Sequence, residues 1–342
     1  MRSTEPSPQR ETVQIENFQF QSGERLDAIT IHHATLGTPT FDSEGFITNA
    51  VLLIHGTAGN WRTYMQPWWA DNMYGPGQPL DLSQTYVIIS DNLGAGQSSK
   101  PSDGMRMQFP RYNHADVVAA QCRLLSEHRH IRMLKAVIGS SYGGRLAWQW
   151  AIQHPERVQG VIPIIASPFP VAGRRGMQDF LATEPLRMDS SWQGGDYQDQ
   201  PKLFPLALMN YWVFIDGAEH LWSQAPTRQE AWAYLPQLVE KLAASIDAND
   251  WIYQLDANRD FDAMAHLDAV RAKVFCIELG GDEMVPIELR HIDAVRQALG
   301  DQVEYLLVAD AAGYGHSGLP LTMKVYGPRI KQFLDGLPSA LS

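Results

Sequence analysis

Cysteine is scarce in this chain, with Cys122 and Cys276 the only two among 342 residues. They lie in AAQCRLL, which reads as a helix, and KVFCIEL, which reads as a strand, without a paired spacing. A disulfide framework is therefore excluded, and apolar neighbours make each thiol an inert packing group. Long apolar runs are also missing: none approaches the ~20 residues that a membrane span needs. The first residues, MRSTEPSPQRETVQ, contain no apolar stretch of the kind a secretory signal requires. A cytoplasmic protein is expected. Basic residues are outnumbered 27 to 38 by acidic ones, for a formal charge of -11, which argues against nucleic acid or an anionic membrane as a partner. There is no H-E-x-x-H and no Cys/His cluster, so no metal site is expected.

What remains suffices for a large core. Hydrophobic residues make up 44% of the chain, and strand-like and helix-like stretches alternate along most of it. After a polar tail over residues 1–14, VQIENFQF and LDAITIHHATLG have the period-two character of antiparallel strands. NAVLLI and TYVIISDN are continuous apolar runs suited to buried parallel strands. Between them, WRTYMQPWWADNMYGPGQPLDLSQ is so rich in glycine, proline and aromatics that a long structured connection is expected rather than a helix, with Trp68 and Trp69 either lining a pocket or, the favoured reading, packing. Residues 113–128 have the spacing of an amphipathic helix. LKAVIG, VQGVIPIIAS, AKVFCIEL and VEYLLVA supply further strands, and the alternation predicts an α/β fold with a mostly parallel central sheet flanked by helices. Residues 168–268 break the rhythm with Trp-rich helical segments. They are expected to form an inserted helical cap over the mouth of the site, on a core of residues 15–167 and 269–342.

The centre of AVIGSSYGGRLAWQW reads G-x-S-x-G, with Ser141 in the middle. An apolar strand before it and a helical pattern after it give the context of a nucleophile elbow, where a strained strand-to-helix turn exposes the serine hydroxyl. A tight turn that uses glycine only for close packing is the plainer alternative. A serine hydroxyl is a weak nucleophile near neutral pH and needs a base, which in turn needs a carboxylate to orient it. Asp282 and His316 each follow a strand, and the order Ser, Asp, His is that of the α/β-hydrolases. Glu278 and Glu283 compete with Asp282, but the first still lies within the strand and the second one residue further on. Asp256, Asp260 and Asp262 read as solvated helix ends. The remaining histidines read as surface or packing residues, and His55 as structural support.

The break HGTAG after NAVLLI places Thr57 where an α/β-hydrolase draws one oxyanion-hole N–H; the second comes from the residue after the nucleophile, Tyr142. The run LGAGQS contains G-x-G, but Ser99, Lys100 and Pro101 stand where a dinucleotide-binding turn needs a third glycine and a helix. That reading is rejected.

Several longer motifs resemble the homoserine O-acetyltransferase family of α/β-hydrolase-fold proteins: HHATLGTP, HGTAGN, WWADNMYGPGQPLD, FPRYNHADVVAAQ, GSSYGGRLAWQWA, SWQGGDY and the terminal GYGH. The likeness implies an α/β-hydrolase fold with a helical cap, Ser141, Asp282 and His316 as triad, Thr57 and Tyr142 as backbone oxyanion donors, and often a homodimer. It implies no resident cofactor, with acyl-CoA the acyl donor of a true transferase. The departures are specific. Family acetyltransferases follow the catalytic histidine with an aspartate for the amino group of homoserine, and this chain has Ser317. Their cap carries an arginine for the homoserine carboxylate where an ungapped match gives Thr183, with Arg187, Arg174 or Arg175 as substitutes. Tyr142 and Arg145 replace two elbow methionines. If amino-acid recognition is lost, water becomes the default acceptor. The expected activity is a carboxylic ester hydrolase acting on a small, short-acyl ester such as an acetate through an acyl-enzyme. The alternative is an acyl-CoA-dependent O-acetyltransferase on homoserine or another hydroxyl acceptor. A catalytically silent ligand-binding protein would be expected to have lost a triad member.

Overall fold

The computed structural model describes residues 7–309 and 313–338. Eight strands form one sheet in the order β1-β2-β4-β3-β5-β6-β7-β8. They are β1 (Gln9–Gln19), β2 (Arg25–Leu36), β3 (Ala50–Ile54), β4 (Tyr86–Ser90), β5 (Leu134–Ser140), β6 (Val158–Ile164), β7 (Lys273–Leu279) and β8 (Val303–Val308). The β1–β2 and β2–β4 pairs are antiparallel, and every other neighbouring pair is parallel.

The burial of each strand follows its place in the sheet. AVLLI of β3 and YVIIS of β4 are buried at every position, as strands covered on both faces must be. β1, at one edge, buries only Val13, Ile15 and Phe18 and keeps charged residues outward. Side chains of a strand alternate between faces, which divides the core in two. Leu52, Ile54, Ile88 and Val137 join the helices α2 (His114–Arg123) and α3 (Tyr142–Gln153) on one face. Val51, Leu53, Val87 and Ile138 pack on the other face, with α1 (Pro67–Met73) and α10 (Leu319–Asp335). A third cluster lies in the insert, around Trp251, Tyr211 and Phe204. The insert contributes α4 (Gly173–Met188), α5 (Phe204–Trp212), α6 (Ala218–Gln224), α7 (Arg228–Ala243) and α8 (Ala248–Asp256), while α9 (His291–Leu299) returns to the core.

Two sequence expectations change. The tail is shorter than residues 1–14, because β1 begins at Gln9 and pairs Gln9 through Gln14 with β2; residues 1–6 of the expected tail lie outside the described residues. The polar side chains there belong to an edge strand whose backbone is satisfied by its neighbour, not to a mobile segment. The Trp-rich connection contains a 3₁₀ turn, Trp61–Met65, and then α1, with Pro67 in its first turn. Proline breaks a helix interior but is tolerated at that position, where no intrahelical N–H bond is lost. Trp69 is buried in the core and Trp68 packs beside it. The last part of the insert packs on the core: Tyr253, Ala257, Phe261 and Leu267 lie with α2 and α3.

No helix among the described residues is long and apolar enough to cross a membrane.

Candidate active site

The elbow is built from steric necessity. Ser141 sits between the end of β5 and the start of α3 with φ 55° and ψ -117°, a conformation that non-glycine residues adopt only when the surroundings enforce it. Its N–H donates to the Ile164 carbonyl, which fixes the turn against β6. The flanking glycines are required by close approach. A Cβ on Gly139 would collide with the Gly143 carbonyl, and one on Gly143 with the Ile54 carbonyl. The turn is therefore pressed between β3 and β6 at the carboxyl end of the sheet, with Ser141 half-buried.

Two later loops reach the same place. His316 lies in a 3₁₀ turn, Gly315–Gly318, ahead of α10, and Asp282 follows β7. Their side chains are buried. A carboxylate only accepts, so the 2.7 Å contact between His316 Nδ1 and Asp282 Oδ2 assigns the proton to Nδ1. His316 Nε2 then accepts from the Ser141 hydroxyl at 2.8 Å. The other Asp282 oxygen accepts from the Met284 and Val285 N–H groups at 2.8 and 3.1 Å, which fixes the orientation of the carboxylate. The three residues singled out in the sequence thus form one hydrogen-bonded chain, in which an imidazole can take the serine proton as the oxygen attacks.

Thr57 and Tyr142 lie beside it. Tyr142 is the first residue of α3, so its N–H has no partner within the helix. Thr57 belongs to the turn after β3, where a Cβ on Gly56 would stand 3.7 Å from Ser141 Cβ. Ala58 follows with φ 55°, and its N–H donates to the side-chain oxygen Oε1 of Gln254 in α8. The insert therefore helps to shape this turn.

The competing groups are otherwise engaged. Glu278 accepts from the Tyr305 hydroxyl, and burial raises its pKa. Glu283 pairs with Arg174. Asp256 pairs with Arg187 and Arg259 instead of standing as a solvated helix end. His55 accepts from the Asn92 N–H through Nε2, and burial lowers its pKa, the behaviour of a neutral supporting ring. The glycine-rich run LGAGQ wraps the Asp91 carboxylate, which accepts from the N–H groups of Trp61 and Gln97 and from His32. The turn thus holds a side chain of this protein where a dinucleotide-binding turn would hold phosphate.

Two features escaped the sequence reading. The single proton of the Ser317 hydroxyl is donated to the carboxylate of Asp216 at 2.5 Å, with the Tyr314 carbonyl 2.9 Å from the same oxygen, so a negative charge lies next to residue 317 although residue 317 itself carries none. Thr183 is buried, donates to the Asp179 carbonyl and accepts from Arg187. Arg187 is bound to Glu184 and Asp256, Arg174 to Glu283 and Arg175 to Asp179, so each of the three substitute arginines has an acidic partner.

The alpha/beta hydrolase fold family model matches residues 49–263. The homoserine O-acetyltransferase of Geobacter metallireducens is 27% identical over an alignment covering 93% of this chain and 94% of that protein. The crystal structure of homoserine O-acetyltransferase from Bacillus anthracis superposes with a TM-score of 0.84 at 23% identity, covering 96% of this chain and 98% of that one. An acetylester hydrolase from Corynebacterium glutamicum superposes with a TM-score of 0.79 at 22% identity, covering 98% and 96%. The resemblance noted in the motifs thus extends over most of the chain, and the strand order, the elbow and the family match agree. The chain belongs to the alpha/beta hydrolase fold family.

Proposed function

We propose that the protein is a serine-dependent ester hydrolase acting on a small, short-acyl ester. Ser141 attacks the ester carbonyl while His316 accepts its proton, and Asp282 stabilises the imidazolium that forms. The tetrahedral oxyanion lies against the N–H groups of Thr57 and Tyr142, where fixed dipoles act without reorganisation. The intermediate then collapses with cleavage of the ester C–O bond, His316 giving its proton to the departing alcohol and the acyl group remaining on Ser141. His316 then takes a proton from water as the water oxygen attacks the acyl carbon, and gives that proton to Ser141 Oγ as the Ser141–acyl bond breaks and the acid leaves.

The observation that carries this reading is the continuous chain from Ser141 Oγ through His316 to Asp282, with contacts of 2.8 and 2.7 Å. Fold alone does not choose the acceptor, because the structural neighbours include both an acetyltransferase and an acetylester hydrolase. The choice of water rests on Ser317 and Thr183, two neutral residues where the resemblance leads one to expect charges. A second reading, acyl-CoA-dependent O-acetylation of homoserine or another hydroxyl acceptor, is favoured by Asp216, whose carboxylate stands beside Ser317.

One comparison separates them: acid release from a panel of short esters against CoA release from acetyl-CoA, with and without homoserine. Hydrolysis predicts ester turnover without an acceptor and little homoserine-dependent CoA release; strong homoserine-dependent release overturns it. Ser141→Ala is expected to lower either turnover by about 10³-fold or more. Full turnover in that variant would remove Ser141 from the mechanism.

A further inference from the structure

We propose that Gln254 of α8 is a positioning residue of the oxyanion hole, so that the insert completes the catalytic machinery of the core. The inference rests on the acyl-transfer reading of Ser141 and holds whether water or another hydroxyl takes the acyl group. Gln254 is 6% exposed. Its Oε1 accepts from the Ala58 N–H at 2.8 Å, and its Nε2 donates to the Gly94 carbonyl at 3.0 Å. A side-chain amide has one accepting end and one donating end, and only this orientation satisfies both backbone groups. Gln254 thus ties the turn after β3 to the turn after β4, from a helix 196 positions beyond Ala58.

The turn that it holds is strained. The Gly59 N–H donates to the Gly56 carbonyl at 3.1 Å, which makes Thr57 and Ala58 the central residues of a tight turn. Ala58, with φ 55°, lies in the left-handed region, where a side chain is unfavourable unless the surroundings enforce it. At the first corner the enforcing group is His55, whose Nδ1–H donates to the Gly56 carbonyl at 2.9 Å. At the second it is Gln254. A cavity of about 260 Å³ lies beside Ala58, Gly94, Asp250 and Gln254, wide enough to admit water. Water can satisfy the Ala58 N–H, but a mobile acceptor does not hold the turn. The insert reaches the same turn from α5, where the Tyr211 hydroxyl lies 3.4 Å from Thr57 Oγ1. Two neighbours of Gln254 anchor α8 to other core loops: Asp250 accepts from the Ser102 N–H and hydroxyl at 2.8 and 2.6 Å, and the Tyr253 hydroxyl donates to the Phe109 carbonyl at 2.5 Å. Of these three side chains, Gln254 is the one that meets the Thr57 turn. An oxyanion donor lowers the barrier only if it is already in place when charge develops. Relaxation of the turn would move the Thr57 N–H away from its alignment with that of Tyr142, and would slow acylation and deacylation together.

Gln254→Leu keeps the bulk of the side chain and removes both hydrogen bonds, whereas alanine would leave room for water. With 4-nitrophenyl acetate, its kcat is expected to fall about tenfold or more, less than the roughly 10²- to 10³-fold of losing a donor outright, with KM changed by less than about threefold. Inactivation by diethyl 4-nitrophenyl phosphate should slow in parallel. In that reaction Ser141 Oγ bonds to phosphorus, 4-nitrophenolate leaves, His316 takes the serine proton, and the phosphoryl oxygen occupies the oxyanion hole. Tyr253→Phe, which removes a neighbouring anchor of α8, is expected to lower the melting temperature without this loss of kcat. Adding Ala58→Gly to Gln254→Leu should recover part of kcat, because glycine keeps a positive φ without being forced. Unchanged kcat in Gln254→Leu overturns the proposal, as does an equal loss in Tyr253→Phe or the absence of any recovery with Ala58→Gly. Failure of the phosphate ester to label Ser141 in the wild-type protein sinks the Ser141 mechanism instead.

Discussion

At the scale of single residues, the chemistry depends on which atom each buried polar group faces. Asp282 accepts three hydrogen bonds, one from His316 and two from backbone N–H groups. Asp282→Asn would leave the ring without a carboxylate and favour the wrong tautomer, so kcat is expected to fall by about 10³- to 10⁴-fold with folding intact, checked by ester turnover alongside circular dichroism. His114 is the opposite case, a histidine kept neutral. Its Nδ1–H donates to the Ala257 carbonyl at 2.8 Å, and burial, with Arg145 adding to it, lowers its pKa from 6.5 to about 3. The unfolded chain takes up a proton below pH 6.5 that the folded chain refuses, so this contribution to stability is complete above that pH. It is lost as pH falls toward 3, at about 1.4 kcal/mol per pH unit. His114→Gln should flatten the acid side of the stability curve by one proton, measured as denaturation midpoints across that range. An unchanged slope would show that His114 does not carry it.

At the scale of elements, the elbow works because β5, α3 and the turn after β3 meet without side chains between them. Gly143→Ala would push α3 away from the Ile54 carbonyl at the end of β3. A loss of about 1–3 kcal/mol in unfolding free energy is expected from such overpacking. Because the same displacement separates the Tyr142 N–H from the Thr57 turn, kcat should fall as well. Loss of stability with undiminished kcat would argue against these two N–H groups acting together. The sequence reading met its limits at this scale. The apolar runs of β3 to β7 were legible because buried parallel strands have a distinct composition, whereas β8 at the sheet edge buries only Val308; the residues after β5, β7 and β8 led to the site. Helix α1 was not, because Pro67 at its start and the glycines beyond its end suggested a loop, and propensity carries no information on how Trp69 packs under Tyr64.

At the scale of the whole molecule, the insert and the core share the site. Met284 and Val285, whose N–H groups hold Asp282, also pack in the cluster around Trp251 of α8. Trp251 is fully buried, and its Nε1–H donates to the Ala182 carbonyl of α4 at 2.9 Å. Trp251→Ala is expected to cost about 3–5 kcal/mol as a large-to-small core change. If the insert and the Asp282 loop are one packed unit, the amides of Met284 and Val285 should also exchange faster with solvent, together with those of α8. Unchanged protection at Met284 and Val285 would mean that the insert can loosen without disturbing Asp282.

The sequence alone determined the alternation of strands and helices, the elbow glycines and the residues that follow β5, β7 and β8. Each of these is set by local composition or by steric demands within a few positions. Tertiary structure alone decided the rest. It set Asp216 beside Ser317, 101 positions apart, and joined Arg145 to Asn258, 113 positions apart. It also filled the LGAGQ turn with Asp91 instead of a ligand. Hydrogen-bond partners and the balance of buried charge depend on which loops the sheet brings together, and no local pattern encodes that meeting.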